Sequence, residues 1–237
     1  MELYRLLQQQ GFGSRKECRQ LIDYGLVAID GVDASDWRQT VDAANIRTLT
    51  VDGQHWPLLR LPLYLLLHKP AGYETSHKPL HHPSVYRLLP PQLGNLDISA
   101  VGRLDVDTTG LLLFSTDGQF VHALTSPKKL VPKLYRVTTK HPLSAELLQR
   151  LRDGVLLHDE NETLAADSVE QVADCVLDMA ITQGKYHQVK RMVAAAGNRV
   201  AQLHRLALGA VALGELPPGQ WRHLTAAELA ALGFASA

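Results

Sequence analysis

The sequence predicts an α+β chain in two parts, a small helix-rich domain over residues 1–60 and a larger domain of strands and short helices over residues 61–237. Three observations carry that expectation. Two helix-spaced apolar patterns and a hairpin signal fill residues 2 to 50. Apolar runs short enough for buried strands then fall at 63–67, 111–115 and 175–182. Amphipathic stretches at 143–151 and 189–196 lie among them, and an apolar fraction of 46% against 20% charged residues is that of an ordinary soluble globule with a sizeable core.

Taken in order, Leu3, Leu6 and Leu7 repeat at helical spacing until Gly11 to Gly13 stop the first helix. Ser14 followed by Glu17 is a capping box, because the hydroxyl can accept from the Glu17 amide while the carboxylate accepts from the Ser14 amide. The second helix therefore runs from there to about Tyr24, with Gly25 as its stop and Cys18, Leu21 and Ile22 facing inward. Arg15, Lys16 and Arg19 form a basic ridge on another face. Val27 and Ile29 alternate as a strand, and Asp30-Gly31 is a hairpin turn. This segment, GFGSRKECRQLIDYGLVAIDG above all, resembles the S4-type (α-L) RNA-binding domain. The resemblance implies a module that sits on structured RNA, with Arg15, Lys16 and Arg19 as its contacts. The chain departs from that family at Glu2, where the first helix usually opens on a basic residue, and at Gln20 and Asp23, where arginines are commoner.

Arg60 to Pro62 is a linker by composition and Leu63 to Leu67 the first strand of the second domain, after which His68-Lys69-Pro70-Ala71-Gly72-Tyr73 turns the chain. Residues 74 to 95, rich in His, Pro and Ser, are expected as a long surface loop with one helical turn at Val85 to Leu89. His81 and His82 are adjacent, so their side chains diverge, and with no carboxylate or cysteine at ligand spacing a metal site is not expected. Gln119 to Leu124 is expected as a short helix. In the strand that follows, Lys133, Tyr135 and Val137 share one face and Leu134, Arg136 and Thr138 the other. Leu143 to Leu151 forms an amphipathic helix and Cys175 to Thr182 a strand, and Val189, Met192, Val193 and Ala196 are the buried stripe of a helix ended by Gly197. Strand-like segments around Gly209 and Gly214 and a short helix at Ala226 to Leu232 close the chain.

Net charge is zero, which taken alone does not mark a polyanion partner. The distribution of charge does. No acid falls between Gly118 and Ala145, which hold Lys128, Lys129, Lys133, Arg136 and Lys140, or between Met179 and Gly214, which hold Lys185, Lys190, Arg191, Arg199 and Arg205. Nine of the 24 acids gather from Glu146 to Asp178 instead. If the two basic stretches meet in space they make a positive face for phosphate backbones, and otherwise they are a solvated mixed surface. Cys18 and Cys175 share no metal-ligand spacing and read as small buried hydrophobes. No apolar run reaches the ~18 residues of a membrane span, and the N-terminus lacks the apolar core of a signal peptide, so a cytoplasmic protein without a membrane partner is expected.

Residues 101 to 118, VGRLDVDTTGLLLFSTDG, draw the rest together. Gly102 and Gly110 bracket a polar loop, Leu111 to Ser115 suits a core strand, and Asp117-Gly118 is a turn. Such a loop can hold Asp105 still near the surface because the strand behind it is rigid, and Arg103 lies close enough to touch the same ligand. An Asp between glycines is by itself more often a turn former or a helix cap. Tyr135 could stack on a base or pack in the core. Lys190 and Arg191, just off the buried stripe of their helix, could reach a carboxylate or snorkel at the surface, and His187 reads as a capping or packing residue.

Taken jointly, GRLDVDTTGLLLFSTDG, KLYRV, GKYHQVKRM and the Gly-rich tail, in that order behind an S4-type segment, resemble the RsuA-type pseudouridine synthases nearly end to end. The resemblance implies a mixed, largely antiparallel catalytic sheet in the second domain. It implies isomerisation of one uridine of small-subunit (16S) rRNA, uridine 516, in free rRNA or a small-subunit assembly intermediate, by a monomer. Asp105 would attack the target nucleotide while the base is detached and turned, Tyr135 would stack on the flipped base, Lys190 would pair with Asp105, and Arg103 would fill the gap left in the RNA. Lys128, Lys129, Lys133 and Arg191 are then expected along the RNA. Isomerisation neither consumes nor releases a group, so no cofactor or metal is implied. Two other readings stay open, a non-catalytic rRNA-binding or assembly factor that kept the fold, and a family member acting on 23S rRNA. The set Asp105, Tyr135 and Lys190 favours an enzyme over a binder, and Tyr186 and His187 before Gln188 favour the small subunit.

Overall fold

A computed structural model describes residues 1–157 and 162–234. The chain divides into two compact units, Met1–Leu63 with Leu89–Ile98, and Tyr64–Leu88 with the chain from Ser99 onward. The division is not the single break at residue 60 that was expected. Leu89–Ile98 returns to the first unit, where Leu93 is buried and the Asn95 side chain donates to the Gly11 carbonyl at 2.8 Å.

In the first unit, α1 (Leu3–Gln9) and α2 (Arg15–Asp23) form where the pattern requires. Ser14 Oγ accepts from the Glu17 amide at 3.4 Å and Glu17 Oε2 from the Ser14 amide at 2.7 Å, which satisfies two amides that a helix start leaves without partners. Cys18 and Ile22 are buried with Leu3, Leu6 and Leu7, while Leu21 is half-buried against that core. Burial pushes the Cys18 thiol up to about 11, so it packs rather than reacts. The strand β1 (Val27–Ile29) turns through Asp30 and Gly31, both at positive φ, into β2 (Val32–Asp33). Two more strands, β3 (Leu49–Val51) and β4 (Gln54–Trp56), complete an antiparallel sheet in the order β2-β1-β3-β4. The basic ridge rests on aromatic faces, Arg15 4.9 Å from the centre of the Tyr4 ring and Arg19 3.3 Å from that of Trp37.

The second unit runs through β5 (Tyr64–Lys69), β6 (Ser99–Ala100), β7 (Thr109–Ser115), α3 (Gly118–Thr125), β8 (Lys133–Thr139) and α4 (Ala145–Asp153). A small pair, β9 (Val155–Leu156) and β10 (Thr163–Leu164), precedes β11 (Ser168–Ala173), β12 (Val176–Ile181), α5 (Gln188–Ala195), β13 (Val200–Leu208), β14 (Val211–Ala212), β15 (Trp221–His223) and α6 (Ala226–Ala231). The large sheet has the order β11-β12-β8-β13-β7-β5-β15, with β14 on β13 and β6 on β7. Only β13 and β7 run parallel among the described pairs, so the sheet is mixed and largely antiparallel. Leu66, Leu111, Leu113, Phe120 and Leu208 form a core on one face with Leu224 and Leu229.

Three expectations need correction. Asp117, read as half of a turn, caps α3, its carboxylate accepting from the Gln119 amide at 2.8 Å and from the Tyr64 hydroxyl at 3.0 Å. Arg205, counted towards a positive surface, is 2% exposed. Arg136 is paired across the β8–β12 ladder with Asp178 through bonds of 2.9 and 2.8 Å, so an acid from the acidic stretch neutralises a base from the basic one. Asp159 and Glu160 of that acidic stretch lie outside the described residues. Among the described residues no helix is long and apolar enough to cross a membrane.

Candidate active site

The loop that carries Asp105 is wound around a buried ammonium. Lys69 closes β5, is 0% exposed, and donates to the carbonyls of Pro70 at 3.0 Å, Asp105 at 3.0 Å, Val106 at 3.3 Å and Thr108 at 2.8 Å. A lysine has three protons to give, so four carbonyl dipoles converge on one charge and the loop backbone cannot shift without uncovering it. Burial lowers the amine to about 8, against the pull of Asp107 and Asp105. Two further ties hold the same loop, the Gly72 amide to the Val106 carbonyl at 2.8 Å and the Thr75 hydroxyl to the Leu104 carbonyl at 2.9 Å. None of these contacts was legible in HKPAGY, which read only as a turn.

Asp105 is one-third exposed at the side chain. Its Oδ2 lies 2.9 Å from Lys190 Nζ and its Oδ1 3.3 Å from His187 Nε2. Lys190, in the first turn of α5, also reaches Asp107 Oδ1 at 2.6 Å. Burial alone would lower the Lys190 amine, but the bonds and charges of Asp107 and Asp105 outweigh it and raise it. Partial burial would likewise raise Asp107, and Lys190 brings it below its ordinary value. His187 was expected to cap or pack. It enters α5 at φ 48° without a side-chain cap bond, reaches Asp105 instead, and carries the exposed Tyr186 ring stacked on its own, 3.8 Å between centres.

A cavity of about 770 Å³ opens beside this cluster, with Arg103, Asp105, Lys133, Tyr135, Lys190 and Arg205 in its lining. Tyr135 is 8% exposed on β8, between Met179 of β12 and Arg205 of β13, so it is at once a core residue and part of the cavity wall. Lys133 is there too, but its ammonium donates to the Val131 and Thr182 carbonyls at 2.8 and 3.0 Å, which makes it a fixed part of the wall. Lys128 and Lys129 are exposed on a short 3₁₀ turn outside the lining, although their neighbours Pro127 and Leu130 belong to it. Arg191 is outside the lining as well and donates to the Tyr186 carbonyl at 3.2 Å. Arg15, Lys16 and Arg19 are on the first unit.

The cluster therefore gathers Asp105, Tyr135, Lys190, Arg103 and Lys133, and adds Lys69, His187 and Arg205, which the sequence alone assigns to a turn, a cap and a basic surface. A signal for Arg205 existed, since period-2 alternation puts it on the same face of β13 as the apolar Leu203. Among the described residues no group of three or more His, Cys, Asp or Glu could hold a metal ion. Chemically, the arrangement is a charge-compensated carboxylate beside an aromatic wall in a cavity of small-ligand size.

Similarity to known proteins agrees with that chemistry. The family model for RNA pseudouridylate synthase matches residues 63–195. An uncharacterised RNA pseudouridine synthase of Bacillus subtilis, YtzG, is 40% identical over 97% of both chains. Ribosomal small subunit pseudouridine synthase A of Pasteurella multocida is 35% identical over 97% of this chain and 98% of its own, and its namesake in Escherichia coli K12 is 36% identical over 86% and 93%. A crystal structure of a pseudouridylate synthase, 32% identical, superposes with a TM-score of 0.69 over 98% of this chain and 99% of that one. Fold and site thus define an RNA-modifying isomerase with the mixed sheet of the pseudouridine synthases. The chain belongs to the RsuA-type pseudouridine synthases.

Proposed function

We propose that this chain converts one uridine of small-subunit (16S) rRNA, uridine 516, to pseudouridine, with Asp105 as the nucleophile. The observation that carries the reading is the meeting of Asp105, Lys190 and Tyr135 at one cavity. Near full-length similarity to enzymes named for the ribosomal small subunit supports the choice of RNA.

The atoms to be rearranged lie inside a base stack, so the nucleotide must turn out of it at a cost of roughly a few kcal/mol, which Arg103 offsets in part by filling the gap. The flipped uracil stacks on Tyr135. Asp105, its charge compensated by Lys190, attacks the ribose C1′, and the N1–C1′ bond breaks with its electron pair leaving on the base. The base turns, C5 attacks C1′ and displaces the carboxylate, C5 loses its proton by way of the Tyr135 hydroxyl, and N1 takes one up. Nothing is consumed, so the reaction calls for no cofactor.

Residues 1–60 serve in this reading as an S4-like RNA-binding domain through Arg15, Lys16 and Arg19. Lys128, Lys129 and Arg191 follow the RNA around the catalytic cavity. The enzyme works as a monomer in the cytoplasm, on free rRNA or an assembly intermediate. Carbodiimide mapping of unmodified 16S and 23S transcripts, and of small-subunit intermediates, after incubation with the protein tests the reading. A single new pseudouridine at position 516 is expected. A product confined to 23S rRNA would overturn the substrate, and no product on any of them would overturn the enzyme.

A further inference from the structure

Arg205 is a buried cation that the reaction as described leaves without a task. It lies on β13 across from Tyr135, is 2% exposed, and belongs to the cavity lining. Its Nε donates to the Leu111 carbonyl at 2.7 Å, while its buried Nη2 has no hydrogen-bond partner. A guanidinium taken out of water is costly unless its protons are accepted or its charge is paired. No carboxylate pairs with this one among the described residues. Its charged neighbour is another cation, Lys133, whose amine is lowered first by burial and then by Arg205, with Asp167 opposing only in part.

Such a place suits an oxygen that carries negative charge. A backbone phosphate has chain on both sides and must stay near the mouth of a cavity. A base turned out of its stack can go deeper. Uracil arrives neutral, but when the N1–C1′ bond breaks its electron pair stays on the ring and spreads over N1, O2 and O4.

We propose that the Arg205 guanidinium holds a carbonyl oxygen of the flipped uracil and stabilises the negative charge the ring takes on when it is detached from the ribose. The proposal rests on Asp105 being the nucleophile. Arg205 neither gains nor loses a proton in the step. The pair leaving C1′ is carried by the base until C5 returns it in the new bond. Held by Leu111 and walled by Leu203 and Leu208, the donor is in place before charge develops, which is the condition under which a fixed cation lowers a barrier.

The test compares single-turnover rates of N1–C1′ bond cleavage, the step both substrates share, for the wild type, Arg205→Gln and Arg205→Lys on RNA with uridine or 5-fluorouridine at the target. Fluorine withdraws electrons, so the detached fluorinated ring bears its charge with less help. Arg205→Gln is expected to slow the uridine substrate about 100-fold and the fluorinated one about tenfold less severely, with Arg205→Lys between wild type and Gln on both. Equal slowing of the two substrates would assign Arg205 to strand packing, and unchanged rates would remove it from the site. Either result overturns the proposal. Should Arg205→Gln not fold, as read by circular dichroism, the wild type decides. Free 5-nitrouracil, an anion at neutral pH, should bind about tenfold tighter than uracil and lose that advantage when acid neutralises it, whereas equal affinity overturns the proposal. A wild type that forms no pseudouridine at all would be a failure of the function instead, and the free-base comparison would still report on the cationic wall.

Discussion

Lys190 makes its shorter contact with Asp107, at 2.6 Å, and its longer one with Asp105, at 2.9 Å. The ammonium is therefore shared between two carboxylates, one of them one-third exposed beside the cavity and the other nearer solvent. Asp107 positions the cation that compensates Asp105.

Removing that cation takes the ammonium from both carboxylates and leaves Asp105 with the His187 contact. Lys190→Met should lower kcat about 1000-fold with KM within about threefold, while Lys190→Arg keeps most of the rate. Steady-state kinetics on a target stem-loop decides. A Lys190→Met enzyme of near-normal kcat would dissociate Lys190 from the chemistry.

Asp105→Asn should abolish pseudouridine formation and leave RNA affinity within about threefold, because the change removes the proposed nucleophile and barely alters the contact surface. Filter binding and carbodiimide mapping read the two effects separately. Turnover by the Asn variant would remove the covalent mechanism.

Acid should loosen the loop next to the site before it unfolds the chain. The Glu74 carboxylate accepts from the amides of Leu80 at 3.0 Å, His81 at 2.8 Å and His82 at 2.9 Å, and these bonds, that from His81 foremost, hold it at about 2 against an ordinary 4.5. A carboxyl depressed in the folded state contributes order above its ordinary value and loses it as pH falls towards the folded one, here from 4.5 to about 2. Glu74→Gln should therefore speed exchange of those three amides at neutral pH, with the variant-to-wild-type ratio closing across that window. A ratio constant with pH would discount the charge.

Gly110 is where β7 meets β13, at φ +107°, and a Cβ there would overlap the Arg205 carbonyl and stand 2.6 Å from its amide nitrogen. Gly110→Ala should cost about 3 kcal/mol or more of stability and lower activity with it, since this parallel joint sets the Asp105 loop against the strand of Arg205. The urea midpoint measures it. An unshifted midpoint would show that the strands separate there at no cost.

The double change Arg15→Glu and Arg19→Glu should weaken RNA binding and flatten its dependence on salt, because fewer counterions are released from the phosphates. Since both arginines rest on aromatic rings, circular dichroism must show the first unit intact. Unchanged binding would mean that the ridge does not touch RNA.

Features with local causes were legible before any coordinates. The Ser14–Glu17 box, the Asp30-Gly31 turn, the apolar run from Leu111 to Ser115 and the Gly197 stop each depend on residues within a turn or two of one another. Asp117-Gly118 misled because the same dipeptide serves a turn and a helix start, and the choice fell to the Gln119 amide and the Tyr64 hydroxyl. Leu89–Ile98 misled because its partners lie far up the chain, Gly11 among them.

By itself, the sequence determined the helices, the order of the motifs, the family they resemble and the presence of one acid poised ahead of a core strand. Tertiary structure alone decided that Lys190 and not Arg191 meets Asp105, since adjacent helix residues point about 100° apart and only the setting of α5 on the sheet selects between them. It alone decided that Lys69 and Arg205 are buried cations rather than surface ones. The environment of a charge is assembled from distant segments, and no short window of sequence contains the Asp105, Val106 and Thr108 carbonyls that meet Lys69 or the strand that covers Arg205.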